Sequence, residues 1–111
     1  MSKILAQWPA DMSERDVYKI TRGNARKMQE IAGSVITPEQ FALYEDIDIK
    51  TGETKRVLTI IADGEKFGTI SPTFIREFMD AAEQFGGDVG TIKVLTGESK
   101  NGREFVTCEL V

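Results

Sequence analysis

The segment from Ser71 to Gly87 reads as a single helix with both of its ends specified, and it limits what the rest of the chain can be. Ser71 is a suitable N-cap, because its hydroxyl can accept from an amide that the first helical turn leaves unpaired. Pro72 suits the first helical position, where a missing N–H costs nothing and φ is already held near its helical value. Phe74, Phe78, Ala82 and Phe85 recur on one face, widened by Ile75, Met79 and Ala81, so the helix has to lie against something apolar. Phe74, Phe78 and Phe85 are assigned to the core on this basis. Gly86-Gly87 offers the positive φ on which helices commonly end.

Three strand-like segments precede this helix and two follow it. In the first, Phe41, Leu43, Ile47 and Ile49 share the inward parity, and Tyr44, Asp46 and Asp48 share the outward one. Glu45 interrupts the inward set. Val57–Ala62 is apolar on both parities and reads as a central strand covered on both sides. Asp63-Gly64 favours a type I′ hairpin, which returns the chain along Phe67–Ile70. Within that return, Gly68 permits a bend or a close backbone approach. Beyond the helix, residues 91–96 and 105–110 alternate about a turn at Asn101-Gly102, with Val106, Cys108 and Leu110 inward. Residues 1–33 read as an N-terminal extension, an extended lead-in over 1–14 and a short helix near 24–32. A helical hairpin starting near residue 14 is the other reading of that extension.

The resulting order, β-β-β-α-β-β, predicts a mainly β fold, an OB-like barrel over residues 34–111 with the helix plugging one end. An SH3-like barrel or an open antiparallel sheet with one packed helix has the same order. At 111 residues the chain is expected to be one domain.

The available chemistry is narrow. The sequence contains no histidine and one cysteine, Cys108, so it offers neither the commonest general base nor a thiolate metal site nor a disulfide framework. Gly86–Gly90 is glycine-rich but lacks the lysine and following helix of a phosphate-cradling loop. Asp46 and Asp48 share a strand face, where solvated carboxylates are the plainer reading than a cation site. No catalytic constellation, cofactor or metal is expected. No apolar run reaches membrane length and the N-terminus is too short and polar for a secretion signal, so the cytoplasm is the expected location.

A binding role remains. The net charge is −4, which counts against nucleic acid, yet the acids gather in two places. Glu39, Glu45, Asp46 and Asp48 form one group, and Glu77, Asp80 and Glu83 lie on the helix. A basic face is left possible elsewhere. Proteins that bind single strands without sequence preference combine aromatic faces that stack on bases with cations that follow the phosphates. The outward parities assign Tyr44, Phe67 and Phe105 to the first role. Lys55 and Arg56 at the second strand, Lys93 on the fourth, and Lys100 and Arg103 around the last hairpin suit the second. Lys19, Arg22 and Arg26 belong to a basic run over Arg15–Lys27, for which a solvated helix face is the plainer reading. Phe67 and Phe105 have a second reading of equal weight, as rings capped by the N-terminal segment.

Several stretches resemble small single-stranded DNA-binding proteins of tailed phages infecting Gram-positive bacteria. They are Ser71–Phe78 after the Asp63-Gly64 hairpin, Lys100–Cys108, Val17–Arg22 and Ala42–Asp46. The resemblance implies an OB-like protein that coats transient single-stranded DNA in phage replication or recombination, in the host cytoplasm and without catalysis. Replication proteins and a second copy of the chain are further candidate partners. Bacterial single-stranded DNA-binding proteins typically carry a flexible acidic tail that recruits partners, whereas this sequence ends in a strand, which places recruitment of that kind in doubt. The competing expectation is a small non-catalytic module that binds a host or phage protein, favoured by the acidic balance.

Overall fold

A computed structural model describes residues 3–111. The strands are β1 (Lys3–Trp8), β2 (Arg26–Lys27), β3 (Val35–Ile36), β4 (Gln40–Ile47), β5 (Thr54–Ala62), β6 (Glu65–Thr69), β7 (Ile92–Glu98) and β8 (Glu104–Leu110). The helices are α1 (Glu14–Thr21) and α2 (Pro72–Gln84), and a 3-10 turn covers Met28–Ile31. The fold is mainly β. Five strands form one sheet in the order β1-β4-β5-β6-β2, and three form a second in the order β3-β7-β8. Among the described residues neither sheet closes into a barrel: β2 is the neighbour on the outer side of β6, and β8 ends its own sheet.

The helix expected from the sequence is present as α2. Ser71 Oγ accepts from the Phe74 amide at 3.3 Å, and Pro72 opens the first turn. Phe74, Phe78 and Ala82 are buried against the core that the two sheets share. Removing each phenylalanine ring from water is worth roughly 2–3 kcal/mol. Phe85 does not join them. It is the C-cap residue, 52% exposed, because the chain leaves helical geometry there before the ring can turn inward.

The Asp63-Gly64 turn joins β5 to β6 with φ of 52° and 74°, positive at both positions as a type I′ turn requires. Leu58, Ile60 and Ala62 of β5 face the shared core, while Val57 and Ile61 pack on the other face with Ala42 and Tyr44 of β4. The central strand is therefore covered on both sides, as its composition predicts. The inward parity of β4 stops early, however. Ile47 is 51% exposed and Ile49, beyond the strand, 97%. The alternation outruns the sheet, because the chain turns at Asp48, whose carboxylate accepts from the Lys50 amide at 2.9 Å.

The N-terminal residues depart most from expectation. The lead-in is mostly strand: β1 lies antiparallel to β4, with a register shift between Ile4 and Ala6, and Trp8 stacks on Phe41 at 6.2 Å. The helix lies over Glu14–Thr21, capped by Ser13, which accepts from Asp16 at 3.1 Å. The helical spacing near 24–32 resolves into β2, parallel to β6, and the 3-10 turn. Met28 of that turn is buried in the core, which explains the apolar spacing without a helix. Residues 26–36 thus link the sheets, from β6 at Arg26–Lys27 to β7 at Val35–Ile36. Among the described residues no helix is long and apolar enough to cross a membrane.

Candidate nucleic-acid interface

The helix α1 sits on the outward face of β4 and β5. Ile20, 1% exposed, packs there with Ala42 and Tyr44. Lys66 holds the helix down by donating to the carbonyls of Lys19 (at 2.8 Å) and Arg22. Tyr44 does point away from the main core, as its parity predicts, but α1 covers it. The ring is 7% exposed and its hydroxyl lies 3.2 Å from Thr59 Oγ1. A satisfied, covered ring offers no face to a base.

Phe67 is not outward. It pairs with Ile60 in the β5–β6 ladder and shares its inward parity, leaving the ring 5% exposed in the core. The outward positions of β6 are Lys66 and Gly68, opposite Ile61 and Thr59. Two of the three expected stacking rings are therefore unavailable in this arrangement. Phe105 is the third, and it remains half-buried at the surface. Its ring lies across Gly97, its cross-strand partner. A Cβ at that position would come within 2.8 Å of the ring, so any larger residue would lift Phe105 off the sheet.

Phe105 lines a cleft of about 780 Å³ where β6 and β8 stand apart. Lys27, Met28, Gly68, Ile70, Pro72 and Arg103 contribute to the same walls, and Glu104 is the one acid among the lining residues. Glu104 accepts from Gln29 Nε2 at 3.0 Å. Ile70, 61% exposed, and Pro72 also border an adjoining cleft of about 410 Å³ that holds Arg56 and Arg76, with Asp80. Lys27, Arg103, Arg56 and Arg76 are thus distributed along two clefts that share the Ile70–Pro72 ridge.

The remaining expected cations lie elsewhere. Arg26 is paired with Glu65 at 2.9 Å and sits 5.7 Å from the Phe67 ring centroid. Arg22 lies 5.5 Å from the Tyr18 centroid on α1, beside exposed Lys19. Lys55 is 3.9 Å from Asp48, and Arg56 is 3.7 Å from Glu45, each an exposed cation beside a half-buried carboxylate and of small energetic worth at the surface. Lys93 faces Glu109 across the β7–β8 ladder, and Lys100 lies in the exposed hairpin turn. Arg56, Arg103 and Phe105 are brought to the clefts; Lys19, Arg22, Arg26, Lys55, Lys93 and Lys100 are not among their lining residues.

Ile70 and Arg76 were not indicated by sequence, and Lys27 was read only as part of the basic run over Arg15–Lys27. The usable signal was Gly68. It pairs with Lys27, and a Cβ there would stand 3.4 Å from that of Ala25, the close approach its composition suggests. Cys108 is a core thiol beside α2, pushed up to about 12 by burial and, secondarily, by the Glu77 carboxylate. Comparison with protein-family models, curated proteins and solved structures finds no match to this chain.

Proposed function

We propose that this protein binds single-stranded DNA without sequence preference, in the cleft between β6 and β8, as a non-catalytic coat for strands exposed in phage replication or recombination. The observation that carries the reading is the grouping of Phe105, Lys27 and Arg103 around one open cleft, with Arg56 and Arg76 continuing the basic path past Ile70. A base stacked on Phe105 would leave its phosphates within reach of long, exposed cations, the combination that sequence-tolerant binding needs. The same reading takes the architecture as an OB-like barrel opened between its third and fifth strands. In it, β3 and β4 form one bent strand, and β6, flanked only by the two-residue β2, stands apart from the edge strand β8. The interface then moves off the outward face of β4 and β5, which α1 occupies, and into the opening.

Fluorescence anisotropy of labelled oligo-dT at low and high salt tests the reading. Saturable binding is expected at low salt, weakening steeply as salt rises, because each neutralised phosphate releases counterions. Absence of binding at micromolar protein in low salt would overturn it.

A further inference from the structure

We propose that the far end of β8 is a second binding surface, which takes a short extended peptide rich in lysine or arginine as an added strand. In the β7–β8 ladder the Val111 amide donates to the Thr91 carbonyl at 3.1 Å. Hydrogen-bonded pairs alternate along an antiparallel ladder, so the backbone groups of Glu109, Thr107 and Phe105 also face β7. Those of Val106, Cys108 and Leu110 face outward, where β8 has no neighbouring strand among the described residues. Ser71 Oγ takes the Val106 carbonyl at 2.7 Å. The amides and carbonyls of Cys108 and Leu110 form the rest of the edge. Such an edge is a template for an incoming strand unless something covers it.

What adjoins it is a groove of about 510 Å³ between β8 and α2, lined by Phe78, Ala81 and Phe85 of the helix and by Cys108, Glu109 and Leu110 of the strand. Phe85 and Leu110 are 52% and 45% exposed, so alternate side chains of an added strand would find apolar contacts. Glu77 and Asp80 also border the groove, and with Glu109 they give it three acids and no lysine or arginine. Arg76 reaches Glu77 at 3.5 Å, an exposed pair that a bound cation can displace. This charge selects the occupant. A basic strand is attracted, whereas a second copy of the chain, pairing through its own β8, would bring the same acids against these.

The test is anisotropy of a short labelled peptide alternating lysine and valine, with a glutamate–valine peptide as control, titrated with the full chain. The basic peptide is expected to saturate and the acidic one not to bind. Leu110→Pro removes an outward amide while every ladder bond to β7 is kept, and should weaken the peptide by about tenfold or more. Glu77→Lys with Asp80→Lys, which leaves the backbone untouched, should do the same. Oligo-dT affinity should not fall in Leu110→Pro, which touches neither basic cleft, whereas Asp80 borders the cleft of Arg56 and Arg76, so the lysine pair is read with the peptides alone. Equal binding of the two peptides, no saturation by about 1 mM at low salt, or insensitivity to both variants would overturn the proposal. A dimer of the wild-type chain that Leu110→Pro dissociates would also overturn it, by assigning the edge to a second copy.

Discussion

The two ends of β8 differ in what they present. At its start, Arg103 and Phe105 open into a cleft shared with Lys27, where cations outnumber the single acid. At its finish, Cys108 and Leu110 border a groove with three acids and no cation. Both surfaces exist because, among the described residues, β8 has no strand on its outer side, while α2 packs against it from the Ser71 contact at Val106 onward. A closed barrel would bury this edge and lose both surfaces together. The contrast shows how a chain with net charge −4 keeps a basic surface: Glu77, Asp80 and Glu109 gather at one end of the edge, and Glu104 is the one acid lining the cleft at the other.

The largest effect expected is at the acidic end, and pH reads it. The Cys108 thiol is raised from 9.0 to about 12 in the folded protein, so between those values the unfolded chain loses a proton that the folded chain keeps. This contribution to stability is complete below about pH 9 and is lost progressively as pH rises toward the folded value, at most about 4 kcal/mol in all. Urea unfolding of wild type and Cys108→Ala across this range should show a steeper alkaline loss for wild type. Parallel pH profiles would mean that the thiol is better solvated than its position behind α2 implies.

Next in size is the aromatic at the basic end. Phe105→Ala should cost about 1–3 kcal/mol of oligo-dT binding, the worth of one stacked base, and leave the lysine–valine peptide unaffected. Tyr44→Ala is the matching control. With its ring beneath α1, it should lower stability and change DNA affinity only through unfolding. If Tyr44→Ala weakens DNA binding in fully folded protein while Phe105→Ala does not, the interface lies under α1 and that helix must move aside.

Much of the architecture was legible because local signals and packing agree. Ser71, Pro72 and the phenylalanine spacing mark α2, and Asp63-Gly64 marks its hairpin, since each depends on a few adjacent residues. The site was less legible because exposure is decided by distant segments. Parity correctly places Tyr44 on the opposite face from Phe41, yet only the docking of Ile20 covers it. Phe67 was misjudged by one position of register, since the hairpin pairs it with Ile60 and thereby turns it inward. The spacing of Ala25, Met28 and Ile31 resembles a helix, but a parallel strand and a 3-10 turn also bury Met28. That change of element moves Lys27 from a solvated helix face to the cleft wall. Arg103 and Phe105 were accessible to sequence reading because they adjoin a hairpin whose turn, Asn101-Gly102, fixes their register.

The smallest effect expected lies at the boundary between the two ends. Ser71 holds two groups at once: its hydroxyl accepts from the Phe74 amide at 3.3 Å and donates to the Val106 carbonyl at 2.7 Å. It therefore caps α2 and pins the helix start to the middle of the open edge. Ser71→Ala should lower unfolding stability by about 1 kcal/mol, the usual worth of such a cap, and Ser71→Thr should restore most of it. The substitution also frees the Val106 carbonyl, lengthening the outward-facing edge by one acceptor. Peptide binding at the acidic end should then be retained or strengthened, whereas the loosened helix start, which borders the cleft through Pro72, should weaken oligo-dT. Opposite responses of the two ligands to one hydroxyl would establish that the surfaces are separate. A parallel loss of both, beyond what the change in stability explains, would mean that they are one continuous site.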